Sequence, residues 1–291
     1  MSNLEERTAE YQEYIENYLD KHCFQYETEP QKKLFSSVRY SLLAGGKRLR
    51  PILVFEFCRL CGGNWKEAAP FAAGIEMIHT YSLIHDDLPC MDNDDYRRGR
   101  LTNHKVYGEA MAVLAGDALL TEAFTVLPSA SYPAETNLQA VQILSACAGA
   151  VGMVGGQVLD MESEERTCTE QEVLDIQVRK TGALIRAACM LGVCAGQGSQ
   201  AQLSAAADFA TNLGLAFQIR DDMLDVIGSQ QELGKAVGVD DSKNTFVRLY
   251  GLKKCDEFVK LYTENALKAL DAFEDTDYLR SLSKSMTQRM H

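Results

Sequence analysis

Two groups of aspartates directly follow apolar segments and bring several carboxylates close together. They lie in HDDLPCMDNDD and RDDMLD, and the residues are Asp86, Asp87, Asp92, Asp221, Asp222 and Asp225. Burial and mutual repulsion both disfavour the charged form of such carboxylates, so something must neutralise them. Hard oxygen donors without a set of histidines or thiolates are the ligands that Mg2+ prefers. The pattern predicts a magnesium site, and a solvated helix end is the alternative for either group taken alone.

The spacing within each group decides whether its carboxylates can face one point. Asp221 and Asp225 are separated by one helical turn and share a face. Asp86 and Asp92 are roughly 240° apart around a regular helix, so they share a face only if the helix ends between them. Pro89 removes a helical hydrogen bond and crowds the preceding turn. We therefore expect the chain at Pro89 to curl Asp92 back toward Asp86.

Three basic segments supply the counterpart, a set of groups that can hold an anion. They are GGKRLRP, DDYRRGR and VRKTGALIRAA, with Lys47, Arg48, Arg50, Arg97, Arg98, Lys180 and Thr181. Arginine grips phosphate oxygens with a two-pronged fork, whereas lysine acts as a mobile point charge. Each segment alone is typical of a solvated face. Together with two magnesium-type groups, they predict a substrate that carries phosphate at one end and hydrocarbon at the other.

The elements that must position these residues are helices. Apolar residues recur at three- and four-residue spacing, and no alternating strand pattern is present. Segments such as AAPFAAGIEMIHTYSLIH lack a wide polar stripe, which indicates helices surrounded by other helices. The long segment 228–244, rich in glycine and charge, is expected to be a loop, and loops of this length are usually either functional or disordered. The predicted helices cover 8–26, 31–43, 50–61, 66–88, 106–128, 135–163, 170–195, 200–228, 244–271 and 277–289.

Composition excludes several classes of protein. A formal net charge of −12 argues against nucleic acid as a partner, because phosphate backbones require a broad basic surface. Nine cysteines without a framework fit a reducing compartment, and the C-x-x-C pair Cys58 and Cys61 lacks the further ligands of a zinc site. The N-terminus has no basic-then-apolar leader, and no uninterrupted apolar run reaches the roughly 18 residues of a membrane span. We expect a cytoplasmic protein without stable membrane insertion.

Taken together, the motifs resemble those of the trans-isoprenyl diphosphate synthases over nearly the whole chain. The resemblance rests on GGKRLRP, HDDLPCMDNDDYRRG, GGQVLD, KTGALIRAA and FQIRDDMLD in that order, and it is closest to bacterial farnesyl diphosphate synthases and the related geranylgeranyl enzymes. It implies one all-α domain over 1–291, an antiparallel helical bundle around a deep apolar cavity. It also implies a homodimer, three Mg2+ ions, and two diphosphate substrates.

The resemblance also implies a role for each site residue. Asp86 and Asp92 would bind two magnesium ions and Asp221 the third, supported by Asp87, Asp222 and Asp225. The allylic diphosphate would be held by Arg97, Lys180, Thr181, Gln218 and Lys235. Isopentenyl diphosphate would be held by Lys47, Arg50, His79 and Arg98. From the residues alone, His79 is more typical of a core histidine than of a substrate ligand.

Two further segments bear on substrate binding and on product length. In GVDDSKNTF, Lys243 follows Asp240 at a shorter spacing than the family pattern, so its assignment as a substrate ligand departs from that pattern. Tyr81, one residue before Ser82, lies about 7.5 Å along the helix axis from Asp86 at ~1.5 Å per residue. A bulky ring there can stop a growing hydrocarbon chain. The resemblance implies a fifteen-carbon product for Tyr81 with Ser82 beside it, because this position is often aromatic in farnesyl synthases and smaller in many geranylgeranyl synthases; the alternative is that Tyr81 only packs in the core.

Three other functions compete with a farnesyl diphosphate synthase. A geranylgeranyl diphosphate synthase would carry the same motifs. A terpene cyclase or squalene-type synthase also uses paired acidic motifs, but it does not need GGKRLRP because it does not bind isopentenyl diphosphate. A non-catalytic regulatory subunit would be expected to have lost aspartates from one motif, and both motifs are intact here.

Overall fold

The computed structural model describes residues 3–26, 28–164, 166–233 and 244–288, without the side chains of Asn3 and of 228–233. Helices account for nearly all regular structure in these ranges, together with short 3₁₀ turns and a π-helical turn at Val178–Gly182. The helices are α1 (Asn3–His22), α2 (Lys32–Leu42), α3 (Leu49–Leu60), α4 (Ala69–Asp86), α5 (Asn103–Tyr107), α6 (Glu109–Val126), α7 (Ala134–Ala148), α8 (Met153–Ser163), α9 (Glu170–Gln177), α10 (Ala183–Ala195), α11 (Gln200–Leu233), α12 (Phe246–Ala269) and α13 (Asp277–Thr287). The all-α class is confirmed.

The chain divides into two compact units. The first contains Met1–Gln142 and Cys194–Gln197, and the second contains Ile143–Val193 and Gly198–His291. The first aspartate group and the segments around Lys47 and Arg97 belong to the first unit. The second aspartate group and the segment around Lys180 belong to the second. Each unit is built around its own helices.

The core of the first unit surrounds α4. Its side chains are buried on nearly every side of the helix, as the absence of a polar stripe predicts. Helix α4 packs against α6 and α3, and the fully buried rings of Phe55, Phe57 and Phe71 fill this core. Because the body of α4 is fixed on all sides, the residues at its C-terminal end are held in place.

The core of the second unit lies around α11 and α12. Its buried side chains come from both helices and from the start of α9, and include Val173, Ile219, Met223 and Phe246. Helix α12 contains a kink at Gly251, whose φ of 72° lies in the left-handed region. The packing fixes α11, the helix that carries the second aspartate group.

The structure differs from the sequence prediction at several places. The predicted helix 135–163 is two helices, α7 and α8, because the chain turns at Gly152, where a Cβ atom would lie 2.0 Å from the Cys147 carbonyl oxygen. Helix α11 continues to Leu233, so residues 228–233 of the predicted loop are helical. A short antiparallel hairpin, β1 (Tyr96–Arg97) and β2 (Arg100–Leu101), follows α4 although no strand was predicted.

Among the residues that the structure describes, two helical stretches are apolar and long enough to cross a membrane by length and composition alone. They are Glu109–Ser129 and Ala134–Ser163, with a mean hydropathy of 1.6 and 1.5, and a third of each is buried within the protein. Acidic residues interrupt the first stretch, so it is not one continuous apolar run. Core helices of soluble proteins can have the same length and hydropathy, so these stretches alone do not indicate a membrane protein.

Candidate active site

The first aspartate group lies where α4 ends. The helix stops at Asp86, and the backbone N–H of Asp92 donates to the Asp86 carbonyl oxygen at 2.8 Å. The N–H of Asn93 donates to the Leu88 carbonyl oxygen at 3.1 Å, and Asn93 has a φ of 55°, which turns the chain. The chain after Pro89 therefore curls back and brings Asp92 beside Asp86, as the spacing predicts.

Asp87 has a different environment from its neighbours. Its side chain is buried and accepts hydrogen bonds from Arg97 Nε at 2.8 and 3.0 Å, with Arg97 Nη2 at 2.6 Å. Burial raises the pKa of Asp87 above its usual value, and the Arg97 guanidinium opposes that shift. Asp92, by contrast, is exposed. Asp87 therefore holds Arg97 in place in this structure.

The donor chemistry of this loop fits a magnesium ion. Asp86 is half-buried and Asp92 exposed, and carboxylate oxygens with access to water suit a cation that keeps part of its hydration shell. Within the described ranges, no three His, Cys, Asp or Glu side chains already stand together as a closed metal cage.

A cluster of positive groups surrounds His79 in the same unit. Burial and the charges of Arg50 and Arg98 hold the pKa of His79 well below its usual range, so its imidazole is neutral. Burial lowers the pKa of Arg50 to about 10. The buried Nε of Arg50 has no hydrogen-bond partner among the described residues. An unsatisfied buried donor in a cationic cluster is the arrangement expected of a site that binds an anion.

A pair of glycines beside this cluster lets an arginine approach the backbone closely. Arg98 Nη1 donates to the Gly45 carbonyl oxygen. A Cβ atom at Gly46, where φ is 125°, would lie 2.6 Å from Arg98 Cζ. Glycine is therefore required at Gly46 both for the backbone conformation and for the position of Arg98. Lys47 follows directly and is exposed.

Arg48 has a structural role, unlike its basic neighbours in the sequence. Its guanidinium is buried and forms ion pairs with Glu76 and Glu16, each at 2.6 Å, and it donates to the Leu42 carbonyl oxygen at 2.7 Å. The side chains of Arg48 and Glu76 are 1% and 2% exposed. Arg48 therefore ties α1 and α4 to the start of α3, while Lys47 and Arg50 remain the candidates for binding an anion.

In the second unit, a connected set of polar side chains surrounds the π-helical turn. Lys180 Nζ contacts Asp160 Oδ2 at 2.6 Å. Thr181 Oγ1 donates to Gln218 Oε1 at 3.3 Å, and Gln218 Nε2 donates to Asp222 Oδ1 at 3.2 Å. Four of the expected site residues therefore lie in one cluster with Asp160, which the sequence analysis did not single out. Its position at the end of GGQVLD was the available signal.

Close packing of backbone fixes the turn that carries Lys180. A Cβ atom at Gly156 of α8 would lie 2.3 Å from the Lys180 backbone nitrogen. Gly156 is therefore a functional position that the sequence analysis missed, because only glycine allows α8 to lie this close. The π-helical geometry, which is common at functional sites, occurs at the same residues.

The second aspartate group follows this cluster on α11. Asp221 is half-buried, Asp222 is buried and Asp225 is exposed. Asp221 and Asp225 are one helical turn apart and lie on one face, as predicted. The role of Asp222 in the structure is to accept the hydrogen bond from Gln218.

Tyr81 is buried within α4, and its side chain is 6% exposed. Its ring lies 5.7 Å from the ring of His85. Burial, with a smaller effect of the Asp86 charge, raises the pKa of Tyr81 to about 12. The hydroxyl of the adjacent Ser82 donates to the His79 carbonyl oxygen at 2.9 Å. Lys235 and Lys243, the remaining expected site residues, lie outside the described residues.

Comparison with known proteins agrees with this arrangement of motifs. The model of the family "Polyprenyl synthetase" matches residues 31–285. The chain belongs to the polyprenyl synthetase family.

Similar proteins and structures support the same assignment. The chain is 46% identical over 264 residues to the farnesyl diphosphate synthase of Micrococcus luteus, with 89% of this chain and 90% of that protein covered. It is 47% identical over 247 residues to the chloroplastic geranylgeranyl pyrophosphate synthase of Catharanthus roseus, covering 83% and 69%. The crystal structure of an FPP/GFPP synthase from Zymomonas mobilis matches with a TM-score of 0.89 at 35% identity, covering 98% and 99%. The chain is therefore a prenyltransferase enzyme with the all-α fold of the prenyl synthases.

Proposed function

We propose that this enzyme condenses isopentenyl diphosphate with dimethylallyl diphosphate and then with geranyl diphosphate, which yields farnesyl diphosphate. The observation that carries the proposal is the cationic cluster with the unsatisfied Arg50 Nε and a neutral His79, in the same unit as the returning aspartate loop. Bacterial relatives named farnesyl diphosphate synthase, with 41–46% identity, support this product.

The basic residues divide between two diphosphates. Arg97, Lys180, Thr181, Gln218 and Lys235 hold the allylic diphosphate. Isopentenyl diphosphate is held by Lys47, Arg50, His79 and Arg98, and Lys243 is a further substrate ligand. One feature supports the grouping of the allylic set: Thr181 and Gln218 are hydrogen-bonded to each other.

The aspartates hold magnesium. Asp86 and Asp92 would bind two ions and Asp221 a third, with support from Asp87, Asp222 and Asp225. The ions, when bound, neutralise the diphosphate and make it a good leaving group. The hard oxygen donors and the return of Asp92 to Asp86 support this assignment.

The chain's own residues orient the two substrates. Arg97, Lys180 and Thr181 hold the allylic diphosphate while its bond to the hydrocarbon breaks and an allylic cation forms. Arg50 and Arg98 hold the second substrate so that its double bond attacks that cation. The neutral His79 donates a hydrogen bond without offering a proton. The resulting cation loses a proton, which the released diphosphate accepts.

Tyr81 limits the chain length to fifteen carbons. Its bulky ring is buried five residues before Asp86, where a growing hydrocarbon chain would pass. Ser82, beside Tyr81, contributes to this limit on chain length, and its hydroxyl is hydrogen-bonded to the backbone of α4. Geranylgeranyl relatives carry the same motifs, so a twenty-carbon product is the alternative that direct product analysis excludes or establishes.

The enzyme acts in the cytoplasm as a homodimer. Helix α6 exposes Val113 and Leu114, and α8 exposes Val154 and Val158, each at 40% or more of its surface. Apolar faces of this kind mark protein interfaces more often than open surface, and a second copy would cover them. Analytical ultracentrifugation tests the dimer, and a monomer at micromolar concentration would contradict it.

Incubation of the purified protein with Mg2+, isopentenyl diphosphate and dimethylallyl diphosphate tests the proposed reaction. We expect both substrates to be consumed and farnesyl diphosphate to accumulate. Products made without isopentenyl diphosphate would indicate a cyclase or squalene-type enzyme instead. The absence of any product would indicate a non-catalytic subunit.

A further inference from the structure

The two arginines proposed to contact the two diphosphates lie side by side on a very small element. Arg97 ends β1, and Arg98 and Gly99 form the turn, with φ values of 53° and 73°. Two strands of two residues each cannot hold a fixed position by themselves. The placement of both guanidinium groups therefore depends on what anchors the hairpin, in addition to their own contacts with Asp87 and the Gly45 carbonyl oxygen.

The strongest anchor is a buried amide just after β2. Asn103 Nδ2 donates to the Ser37 carbonyl oxygen at 2.9 Å and to Ser41 Oγ at 2.8 Å. Asn103 Oδ1 accepts from Ser37 Oγ at 2.8 Å. All three bonds reach α2, and the side chains of Asn103 and Ser37 belong to residues that are 3% and 0% exposed. Because the site is buried, water cannot replace these bonds without cost.

The anchor is connected to the aspartate loop through the preceding residue. Thr102 Oγ1 donates to the Asp94 carbonyl oxygen at 2.8 Å, and its N–H donates to the Asp95 carbonyl oxygen at 3.0 Å. These two bonds close the base of the hairpin between Asp95 and Thr102. A fixed Asn103 therefore fixes both ends of the segment that carries Arg97.

A second contact with α2 lies on the outer side of the hairpin. The Tyr40 hydroxyl donates to the Leu101 carbonyl oxygen at 2.8 Å, and the guanidinium of Arg100 lies 4.3 Å from the centre of the Tyr40 ring. This contact is exposed, so it contributes less than the buried amide. Helix α2 thus acts as a support for the hairpin, with Asn103 as its main attachment.

We propose that Asn103 is a positioning residue for the reaction, which orients Arg97 and Arg98 through its hydrogen bonds to Ser37 and Ser41. Asn103 touches neither substrate. The inference rests on the proposed function of the two arginines as diphosphate ligands. Loss of the anchor lets the hairpin move, and small displacements of a positioning element are enough to weaken binding.

Replacement of Asn103 by alanine tests the inference against a matched control. Asn137 lies in the same unit, and its Nδ2 donates to the carbonyl oxygens of Pro128 and Ala130 at 3.1 and 3.0 Å, in the loop before α7. Asn137→Ala removes a comparable set of bonds away from the hairpin. The melting temperature, kcat and both Michaelis constants are measured for Asn103→Ala, Asn137→Ala and the unaltered enzyme.

We expect both alanine variants to lower the melting temperature, but only Asn103→Ala to raise the Michaelis constants, by about tenfold for at least one diphosphate. Amide hydrogen exchange should also become faster at Thr102 in Asn103→Ala alone. Michaelis constants that stay within twofold of the unaltered enzyme in folded Asn103→Ala would overturn the inference. So would an equal rise in Asn137→Ala, because a general loss of stability would then explain it.

A milder variant keeps the test valid if Asn103→Ala does not fold. Ser37→Ala removes only the bond to Asn103 Oδ1, and we expect a smaller rise of about threefold; unchanged constants there would overturn the inference. Arg97→Gln and Arg98→Gln test the underlying proposal. If they leave both Michaelis constants unchanged, the proposed function of the arginines is wrong. If they raise the constants while Asn103→Ala does not, only the positioning role fails.

Discussion

Arg50 is proposed to bind isopentenyl diphosphate through its guanidinium group, and a lysine ammonium group would bind it less well. Its buried Nε is unsatisfied among the described residues and is available to a phosphate oxygen. Arg50→Lys keeps the charge but removes the two-pronged fork, so we expect the Michaelis constant for isopentenyl diphosphate to rise about tenfold or more. The constant for the allylic substrate should change less.

Steady-state kinetics with each substrate varied in turn measures this difference. Arg59→Lys is the matched control, because Arg59 also lies on α3 but pairs with Glu56 at 2.8 Å. Equal increases in both constants for Arg50→Lys would show that Arg50 does not discriminate between the two substrates.

Tyr81 is the residue on which product length depends. Tyr81→Ala opens space in the path of the growing chain, so we expect the product to shift from fifteen toward twenty or more carbons. The first condensation should be little affected. A buried large-to-small replacement also lowers stability by about 2–5 kcal/mol, so assays are run well below the melting temperature.

Chromatography of the products of Tyr81→Ala measures the shift. Tyr278→Ala, which truncates a similarly buried tyrosine of α13, controls for loss of stability. An unchanged product distribution in Tyr81→Ala would place the limit on chain length at another residue.

Among the elements, α8 and the π-helical turn are in close backbone contact. The close approach of Gly156 to the Lys180 backbone leaves no room for a methyl group. Gly156→Ala must therefore push the turn outward, at a cost of about 1–3 kcal/mol in the free energy of unfolding. We expect a loss in kcat/KM for the allylic substrate of about tenfold or more, since Lys180 and Thr181 move with the turn.

The matched control is Gly214→Ala in α11. A Cβ atom there would lie 3.4 Å from Gly182 Cα, which is an ordinary contact. Chemical denaturation measures the free energy of unfolding of both variants, and steady-state kinetics measures their kcat/KM. A decrease in Gly156→Ala alone is due to the steric clash with the turn, whereas an equal decrease in both is due to the introduction of alanine into a helix. Full activity in Gly156→Ala would show that the close packing does not matter for the position of Lys180.

The sequence predicted elements and motif positions well where local chemistry determines them. The return of Asp92 to Asp86 follows from a proline that ends the helix, and the burial of α4 follows from its lack of a polar stripe. The break at Gly152 was missed, because the apolar pattern continues across it and the turn depends on backbone contacts.

Contacts between distant segments were not predictable from one sequence. Lys47, Arg48 and Arg50 look equivalent in GGKRLRP, and only the positions of Glu16 and Glu76 show that Arg48 is structural. In the same way, nothing local links Asn103 to α2, or Asp160 to Lys180. The roles of Lys235 and Lys243 as substrate ligands stay predictions.

At the scale of the whole molecule, each compact unit contains one aspartate group; the first unit contains two of the three basic segments and the second contains the third. The first unit holds the loop that begins at Asp86, and the second holds Asp221 on α11. The proposed reaction needs both groups, because each would hold magnesium ions that neutralise the same leaving group. A protein that used only one group would be a different kind of enzyme or a regulatory subunit.

Turnover of Asp86→Ala and Asp221→Ala at saturating Mg2+ therefore tests the account most directly. Asp208→Ala, which removes an exposed aspartate of α11, is the control and should keep normal turnover. Loss of one group that stabilises developing charge typically lowers kcat by about 10²–10³-fold. We predict at least that decrease in each of the two variants, with melting temperatures close to that of the unaltered enzyme. Near-normal turnover in either folded variant would contradict the assignment of the two aspartate groups to metal-assisted condensation.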